Sequence, residues 1–256
     1  MIKFIIVDIP FKDWIYQFTN DDRFITRCVK TKINKMNLDS YKILTISVAG
    51  YHNYNSHVNN IFKNNLDNID KLENKSKFGK YMLEYFPKHI PTLYYYQFDK
   101  EQYINTDSLP NKLIQKTNIG SGGLGIEIVY SINKKLKNTI ISEYIQHIEY
   151  YTGHHLVLNG VILDKVYFCS SQLYENGIRK GRIINYTISH ELPAEDTIFD
   201  SIFKSLNYCG FANSDFIIKD NNIIIFEINP RPGGSLIYNK QYFNKFIDTL
   251  SKEIKF

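Results

Sequence analysis

The stretch that most constrains this chain lies near its C-terminus, where a predicted buried strand ends in polar residues. An apolar run over residues 223–228 predicts the strand, and Glu227 interrupts it. Asn229 follows two positions after Glu227. Because side chains alternate across a strand, these two oxygen-bearing groups are expected on one face. Pro230 and Pro232 then end ladder pairing, so the strand stops where its polar groups converge.

A guanidinium and a turn complete this stretch. Arg231 stands between the two prolines, Gly233 and Gly234 allow the backbone to turn, and Ser235 is expected to cap a helix that opens at Leu236. Carboxylate and carboxamide oxygens suit Mg²⁺, which prefers one or two carboxylates together with substrate phosphates. A strand end with an incidental salt bridge is the alternative interpretation.

The preceding hairpin extends this polar face. Asp215 and Glu227 are separated by an even number of residues, so the two side chains can lie directly opposite each other. A three-residue connection over 220–222, which pairs Lys219 with Ile223, would achieve this. A two-residue turn would place Asp215 on the opposite face. The three-residue turn therefore predicts Asp215, Glu227 and Asn229 on one face, close enough to hold Mg²⁺.

A glycine-rich loop lies between two predicted strands in the middle of the chain. The strand that begins at Leu113 ends at Lys116, and four glycines follow within residues 120–125. A dinucleotide-binding fingerprint must open a helix, but Ile126–Tyr130 alternates as a strand does. No lysine follows Gly125, which excludes a Walker loop. We therefore predict a flap whose backbone amides close over phosphates.

Composition narrows the class of protein. The 256 residues suffice for two small domains, and a net charge of +5 is spread along the chain. That spread argues against a nucleic-acid surface and leaves an anionic small ligand. Three cysteines without metal-type spacing favour a reducing, cytoplasmic setting. No apolar run approaches the ~18 residues of a membrane span, and residues 1–7 are expected to form a strand rather than a signal peptide.

The remaining pattern predicts alternating helices and strands. Residues 1–70 are expected to form a small α/β domain with strands Ile2–Val7, Phe24–Val29 and Tyr41–Val48, a helix around Phe11–Phe18 and weak helical periodicity from Asn53 to Leu66. One helix is expected over residues 72–86, with Lys75 in its first turn and Pro87 as its stop. The expected later elements are strands Leu93–Phe98, Thr139–Ile145, Tyr150–Leu158, Val161–Ser170 and Ile183–Ser189 and helix Leu192–Leu206. The adjacent His154 and His155 should face opposite sides of their strand.

From Lys71 to the C-terminus these motifs, in this order, resemble the ATP-grasp superfamily. The stretch from Glu227 to Ser235 is similar to the metal-binding end of the carboxylate–amine ligase and carbamoyl-phosphate-synthase-like branch. The resemblance implies an α/β (α+β) ATP-grasp fold over residues 71–256, with a lid lobe at about 93–143. Residues 1–70 would be a small pre-ATP-grasp-like domain.

The resemblance also implies roles for individual residues. Asp215, Glu227 and Asn229 would bind Mg²⁺, with Mn²⁺ as a substitute, and Arg231 would stabilise the transferring phosphoryl group. The residues that would contact ATP are Lys75 and Lys116 at the phosphates, Gly120, Ser121, Gly122 and Gly123 in the flap, Glu143 with the backbones of Tyr144 and Ile145 at adenine, and Glu149 at ribose.

The implied chemistry is activation of a carboxylate by ATP. The carboxylate becomes an acyl phosphate, and an amine or similar nucleophile displaces phosphate, so the implied partners are small-molecule carboxylates and amines, with a homodimer as the expected assembly. Arg182 would hold the substrate carboxylate, or it is a solvated turn residue. Two alternatives are a kinase on the same fold, whose product lacks a new amide, and a non-catalytic ATP-binding module.

Overall fold

The structure is a computed structural model that describes residues 3–19, 21–27, 33, 41–97, 101–104, 107–120, 123–132, 138–171 and 185–254. It contains three β-sheets, one parallel and two antiparallel, packed with helices. In the described part of the chain, no helix combines the length and apolar character needed to cross a membrane.

The N-terminal sheet is parallel and has strand order β2-β1-β3, in which β1 is Lys3–Val7, β2 is Phe24–Arg27 and β3 is Tyr41–Thr45. Helix α1 (Lys12–Phe18) connects its first two strands. One face of the sheet buries Phe4 and Ile6 in the main core of the molecule.

The predicted strand Tyr41–Val48 is wrong at its end. The strand stops at Thr45, and helix α2 (Val48–Tyr54) begins three residues later. Ser47 causes the change, because its hydroxyl accepts a hydrogen bond from the backbone N–H of Gly50 at 2.9 Å and caps the helix.

The single helix predicted over residues 72–86 is two helices. Helix α3 (Leu66–Glu73) and helix α4 (Lys75–Tyr85) meet at Asn74, whose backbone is extended at φ −89° and ψ 114°. The Asn74 side chain accepts hydrogen bonds from two amides of the first turn of α4. The break therefore makes Lys75 the first residue of α4. A 3₁₀ turn (Pro87–His89) follows α4.

A second sheet falls within the predicted lid lobe and is called the lid sheet below; it is antiparallel and has strand order β5-β4-β8-β6-β7. Its strands are β4 (Leu93–Gln97), β5 (Glu101–Tyr103), β6 (Leu113–Thr117), β7 (Ile126–Val129) and β8 (Thr139–Glu143). The glycine loop joins β6 to β7, so the prediction of a strand rather than a helix after the loop is confirmed.

The central sheet is also antiparallel, with strand order β11-β10-β9-β12-β13. Its strands are β9 (Tyr150–Leu158), β10 (Val161–Ser170), β11 (Thr187–Ser189), β12 (Gly210–Lys219) and β13 (Asn222–Asn229). Helix α5 (Thr197–Ser205) is shorter than the predicted helix from Leu192, and residues 183 and 184 of the predicted strand lie outside the described residues. Helices α6 (Gly234–Tyr238) and α7 (Lys240–Glu253) end the chain.

The hairpin of β12 and β13 pairs Asp215 with Glu227, as predicted, but by another route. The turn has two residues, Asp220 and Asn221, both at positive φ (50° and 61°), so Lys219 pairs with Asn222. A register shift between Asp215 and the next residue of β12 then leaves Phe226 as the extra residue of β13. The predicted three-residue connection is therefore wrong, and the bulge restores the pairing that a two-residue turn alone would have lost.

Candidate functional site

A cleft between the lid sheet and the central sheet is lined by two of the residues singled out in the sequence, Lys75 and Lys116. Helix α4 forms a third side of it. Its described lining is apolar apart from two lysines and a serine, and consists of Lys75, Phe78, Gly79, Ile90, Pro91, Leu93, Lys116, Ile140, Ser142 and Phe226. Apolar walls with two ammonium groups match a ligand that combines a flat ring with negative charge.

Lys75 connects the two sides of the cleft. Its ammonium lies 3.0 Å from Oε2 of Glu227 on β13 and donates to the carbonyl of Gly120, 3.4 Å away, in the glycine loop. Its backbone N–H donates to the carbonyl of Asn118 at 2.9 Å. The Lys75 side chain is 8% exposed, so this contact is made largely out of water. The side-chain cap at Asn74 starts α4 at Lys75, whose ammonium then lies next to the end of β13.

Lys116 approaches the same strand from the lid sheet. It lies on β6, is buried, and its ammonium sits 4.9 Å from the centroid of the Phe226 ring. The positive charge of Lys116 also acts on Glu227. Two ammonium groups from different elements therefore converge on the end of β13.

Glu227 is held ionised by these cations. Burial alone would raise its pKa, but the charges of Lys75 and Lys116 and hydrogen bonds from Lys75 and Asn229 lower the pKa to about 2. The Asn229 amide donates to Oε1 of Glu227 at 3.2 Å. At neutral pH the end of β13 therefore carries a full negative charge that already attracts a cation.

Asp215 and Arg231 lie on either side of Glu227 and Asn229. Asp215 is buried directly opposite Glu227, and its Oδ1 accepts from the hydroxyl of Thr152 at 3.0 Å. Arg231 donates from Nη2 to Oδ1 of Asn229 at 3.4 Å. Within the described ranges, no three His, Cys, Asp or Glu side chains cluster closely enough to hold a metal by themselves. The donor set here is two carboxylates and a carboxamide, which fits a hard cation completed by phosphate oxygens.

The described part of the glycine loop reaches the cleft residue Lys75 through the carbonyl of Gly120. Gly123 and Gly125 have positive φ (78° and 72°), and a Cβ at Gly125 would clash with the side chain of Thr117. The Thr117 N–H donates to the carbonyl of Gly125 at 3.0 Å. Gly120 contacts Lys75, whereas Ser121 and Gly122 lie outside the described residues.

The predicted adenine hinge lies where β8 ends. The Glu143 N–H donates to the carbonyl of Thr92 at 2.8 Å, and its Oε2 accepts from the Thr92 hydroxyl at 3.0 Å. Ile140 and Ser142 of β8 line the cleft, so alternation turns the Glu143 side chain away from that face. Tyr144 and Ile145, whose backbones are predicted to contact adenine, follow directly after Glu143.

Glu149 and Arg182 are two further residues that the sequence singled out as ligands. The Glu149 carboxylate accepts from the hydroxyl of Tyr151 at 2.8 Å, and Glu149 does not line the cleft. Its role at ribose stays a prediction. Arg182 lies outside the described residues.

The sequence interpretation missed Phe226 and Glu73. Phe226 stacks on Tyr150 with ring centroids 6.0 Å apart and forms a wall of the cleft; its position as the bulged residue gave no signal in the sequence. Glu73 ends α3 two residues before Lys75, and its Oε2 is buried without a hydrogen-bond partner in the described structure. The sequence did offer one signal for Glu73, an acidic residue two positions before a lysine predicted to bind phosphate.

A buried histidine supports the turn after Arg231. His154 is fully buried and faces Ser235, with Nε2 and Oγ 2.8 Å apart, whereas His155 faces Ser214 on the other side of the sheet. The prediction that the two histidines face opposite sides is confirmed. A Cβ at Gly233 would clash with the side chains of Asn213 and His154, so a larger residue there would displace them.

The chain is similar to known proteins in both sequence and architecture. The family model of the ATP-grasp domain matches residues 72–235. Among curated proteins, none matches the sequence.

Solved structures share the architecture. The chain is similar to D-alanine–D-alanine ligase from Bacillus anthracis, with a TM-score of 0.66 and 17% identity over 98% of this chain and 97% of that one. It is also similar to N5-carboxyaminoimidazole ribonucleotide synthetase from Thermotoga maritima (TM-score 0.59, 14% identity, 98% and 76% coverage). A third is L-amino acid ligase from Bacillus licheniformis (TM-score 0.56, 14% identity, 91% and 68% coverage). The predicted fold class is confirmed by these likenesses.

Proposed function

The chain belongs to the ATP-grasp family, and on that premise we propose that it is an ATP-dependent, ADP-forming ligase that joins a carboxylate to an amine. The observation that carries the proposal is that Lys75 and Lys116, which line a cleft between two antiparallel sheets, converge on ionised Glu227. The structurally similar enzymes named above include two whose names describe ligation of amino acids. Because the sequence identities to these enzymes are low, the assignment to the carboxylate–amine ligase branch is itself part of the proposal.

ATP would lie in the cleft with its base against the lid sheet. Phe226 and Ile140 supply apolar walls, and the backbone after Glu143 offers hydrogen-bonding groups for adenine. Lys116 and Lys75 would neutralise the phosphates, with the glycine loop above them. A related solved structure, the B. anthracis ligase, has been determined in complex with ATP.

We propose that Asp215, Glu227 and Asn229 hold Mg²⁺, with Mn²⁺ as a substitute. The support is the donor set, together with a Glu227 carboxylate that holds a cation, the Lys75 ammonium, at 3.0 Å. When bound, the metal would neutralise charge on the phosphates of ATP. Lys75 would then exchange its contact with Glu227 for one with phosphate.

The reaction would proceed in two balanced steps. A substrate carboxylate oxygen attacks the γ-phosphorus, the bond to the β-phosphate bridge oxygen breaks, and ADP and an acyl phosphate result. A neutral amine then attacks the acyl carbon, the C–O bond breaks, and the departing phosphate takes the proton that the nitrogen loses as the amide forms. Arg231, held by Asn229 beside Glu227, would stabilise charge on the transferring phosphoryl group. Positioning and charge neutralisation are the chain's contribution.

Several broader features are proposed with this function. We take residues 1–70 as an accessory α/β domain, residues 71–256 as the ATP-grasp domain and about 93–143 as its lid. Small carboxylates and amines are the proposed substrates, in a cytoplasmic homodimer without a nucleic-acid or membrane partner. The support for a reducing compartment is the free state of Cys169 and Cys209.

Hydroxylamine trapping tests the proposal. Acyl phosphates react with hydroxylamine and phosphate esters do not, so a panel of carboxylates with ATP and hydroxylamine should yield a hydroxamate and ADP. Arg231→Lys should slow this step by about a hundredfold, because an ammonium cannot reproduce a planar two-donor contact. ADP with a stable phosphoester and no hydroxamate would identify a kinase, and nucleotide binding without turnover would identify a binding module.

A further inference from the structure

Ser142 carries the one neutral polar side chain among the described residues that line the cleft. It is 7% exposed and lies on β8, on the same face as Ile140, which also lines the cleft. Its register partners on the neighbouring strands are Leu93 and Ile114, both apolar. A single hydroxyl therefore stands in an otherwise apolar part of the cleft wall.

The Ser142 hydroxyl has no hydrogen-bond partner among the described residues. Its oxygen is not closed off, in contrast to Oγ1 of Thr139 on the same strand, which is fully enclosed and also without a partner. An enclosed atom cannot receive a ligand, whereas an atom that opens into a cleft can. Buried hydroxyls are almost always hydrogen-bonded, so an unpaired hydroxyl in the wall of a cleft indicates a polar ligand group.

The position of Ser142 along β8 indicates which part of the ligand it meets. Lys116 pairs with Ile140, and Ser142 lies two residues further toward the end of β8. A strand rises about 3.3 Å per residue, so Ser142 lies roughly 7 Å beyond the level of Lys116. With the phosphates at Lys116 and adenine at the backbone after Glu143, as proposed above, Ser142 lies beside the base.

The chemistry of a hydroxyl suits one edge of adenine. That edge carries an acceptor, N7, next to a donor, the 6-amino group. A serine hydroxyl has one proton to donate and lone pairs to accept with, so it can serve either atom. Guanine carries acceptors at both positions, and one hydroxyl proton cannot satisfy both of them. Pyrimidines have no N7.

We propose that the Ser142 hydroxyl hydrogen-bonds this edge of adenine and that Ser142 is a residue that determines base specificity. The inference rests on the proposed ATP site. It adds a side chain to the backbone groups that would meet the base, and this side chain distinguishes adenine from guanine. Because the contact does not involve the carboxylate or the amine, nucleotide binding alone tests it.

Titration calorimetry of the full chain with Mg²⁺ and nucleotides tests the contact. Ser142→Ala should bind ATP about five- to tenfold more weakly than wild type, the usual effect of losing one hydrogen bond. The analogue 7-deaza-ATP lacks N7, and purine riboside triphosphate lacks the 6-amino group. With at least one of these analogues, wild type and Ser142→Ala should therefore bind within about twofold of each other. An equal loss with ATP and both analogues would overturn the proposal.

A matched pair of variants separates the hydroxyl from the volume of the side chain. Ser142→Thr and Ser142→Val have nearly the same shape, and only threonine keeps the hydroxyl. Ser142→Thr should bind ATP about fivefold more tightly than Ser142→Val. Ser201→Ala, which changes an exposed serine of α5, is the control and should bind ATP as wild type does. Equal affinities of the threonine and valine variants would show that the hydroxyl does not contact the nucleotide.

Melting temperatures without nucleotide test whether Ser142 has a structural role instead. Because the hydroxyl has no partner in the described part of the chain, Ser142→Ala should melt at the wild-type temperature or higher. A clear fall in the melting temperature, with Ser201→Ala unchanged, would reveal a partner within the protein and contradict the proposal.

Failure of this inference and failure of the proposed function give different results. If wild type binds Mg·ATP and Ser142→Ala binds it equally well, the ATP site stands and the role of Ser142 is overturned. If wild type binds no nucleotide, the ATP site itself is contradicted, together with the contact between Ser142 and adenine.

Discussion

At the scale of single residues, opposing effects set the pKa of Glu227. Burial disfavours its charge, and two lysines from separate elements overcome that cost and lower its pKa to about 2. The carboxylate is thus prepared for a cation before any ligand arrives. The ammonium of Lys75 supplies one provisionally at 3.0 Å.

Removing the charge of Glu227 tests this balance. Glu227→Gln leaves Lys75 buried without its counter-ion, so we expect the free energy of unfolding to fall by about 3 kcal/mol, as for a buried pair that loses one member. ATP turnover should fall by at least about a hundredfold because the proposed metal loses a ligand. Urea denaturation and ADP release measure the two effects, with the exposed Glu191→Gln as control. Wild-type turnover in Glu227→Gln would return this stretch to an incidental strand end.

The buried histidines make stability depend on pH. Burial lowers the pKa of His154 and His155 to about 3, whereas an unfolded histidine titrates near 6.5. Since the unfolded chain binds more protons between these values, stability should be full above about pH 6.5 and fall as the pH drops, by up to ~1.4 kcal/mol per unit for each histidine. Urea denaturation at pH 7.5, 6 and 5 should show a shallower decline for His155→Gln.

The slope, not the absolute stability, is the informative quantity here, because replacing a buried histidine also changes packing. The exposed, non-titrating Asn222→Ala serves as control and should keep the wild-type slope. An unchanged slope in His155→Gln would mean that His155 becomes protonated without unfolding.

At the scale of elements, the β12–β13 hairpin shows what sequence could and could not predict. The even separation of Asp215 and Glu227 correctly predicted that they pair. It could not reveal that a two-residue turn and a bulge at Phe226 each shift the register by one, because the two shifts cancel in the count. The α3–α4 break was missed for a related reason: Asn74 is compatible with a helix interior until its side chain caps α4.

The Phe226 ring at the bulge lines the cleft, and its contribution to nucleotide binding can be tested. Its ring lies 4.9 Å from the Lys116 ammonium and stacks on Tyr150. Phe226→Leu keeps an apolar wall and loses the ring, so Mg·ATP should bind about five- to tenfold more weakly, the equivalent of ~1 kcal/mol for a partly desolvated cation–π contact. Phe226→Ala should weaken binding further. Titration calorimetry measures both, and unchanged affinity in both variants would place the nucleotide away from β13.

At the scale of the whole molecule, the site lies where separate cores meet. One core spans the N-terminal and central sheets and includes Phe4 and Phe243, whereas the lid sheet has its own small cluster around Tyr95 and Ile141. Sequence order and motif spacing predicted the superfamily, which the family model confirms, whereas the ATP-binding roles of single residues stay predictions. They could not predict which side chains touch, because the Lys75–Glu227 contact depends on how α4, β6 and β13 pack in space.

That arrangement predicts how the molecule responds to nucleotide. Because the cleft joins the lid sheet to the rest of the chain, Mg·ATP at about 100 times its Kd should stabilise the protein by ~2.7 kcal/mol. For a chain of this size that corresponds to a rise in Tm of roughly 5–10 °C. NAD at the same concentration should produce a much smaller shift, since the glycine loop joins two strands and does not open a helix. Thermal unfolding with each ligand measures the difference.

The matched variant for this experiment is Lys116→Ala, which removes a proposed phosphate contact from the lid side. Lys116 is buried on β6 and its charge reaches the end of β13, so its loss should abolish most of the ATP-dependent shift. Lys112→Ala removes an exposed lysine that does not line the cleft, so this variant should keep the shift. A larger shift with NAD than with Mg·ATP would contradict the assignment of the cleft to ATP, because a dinucleotide would then be the better fit to the same two lysines.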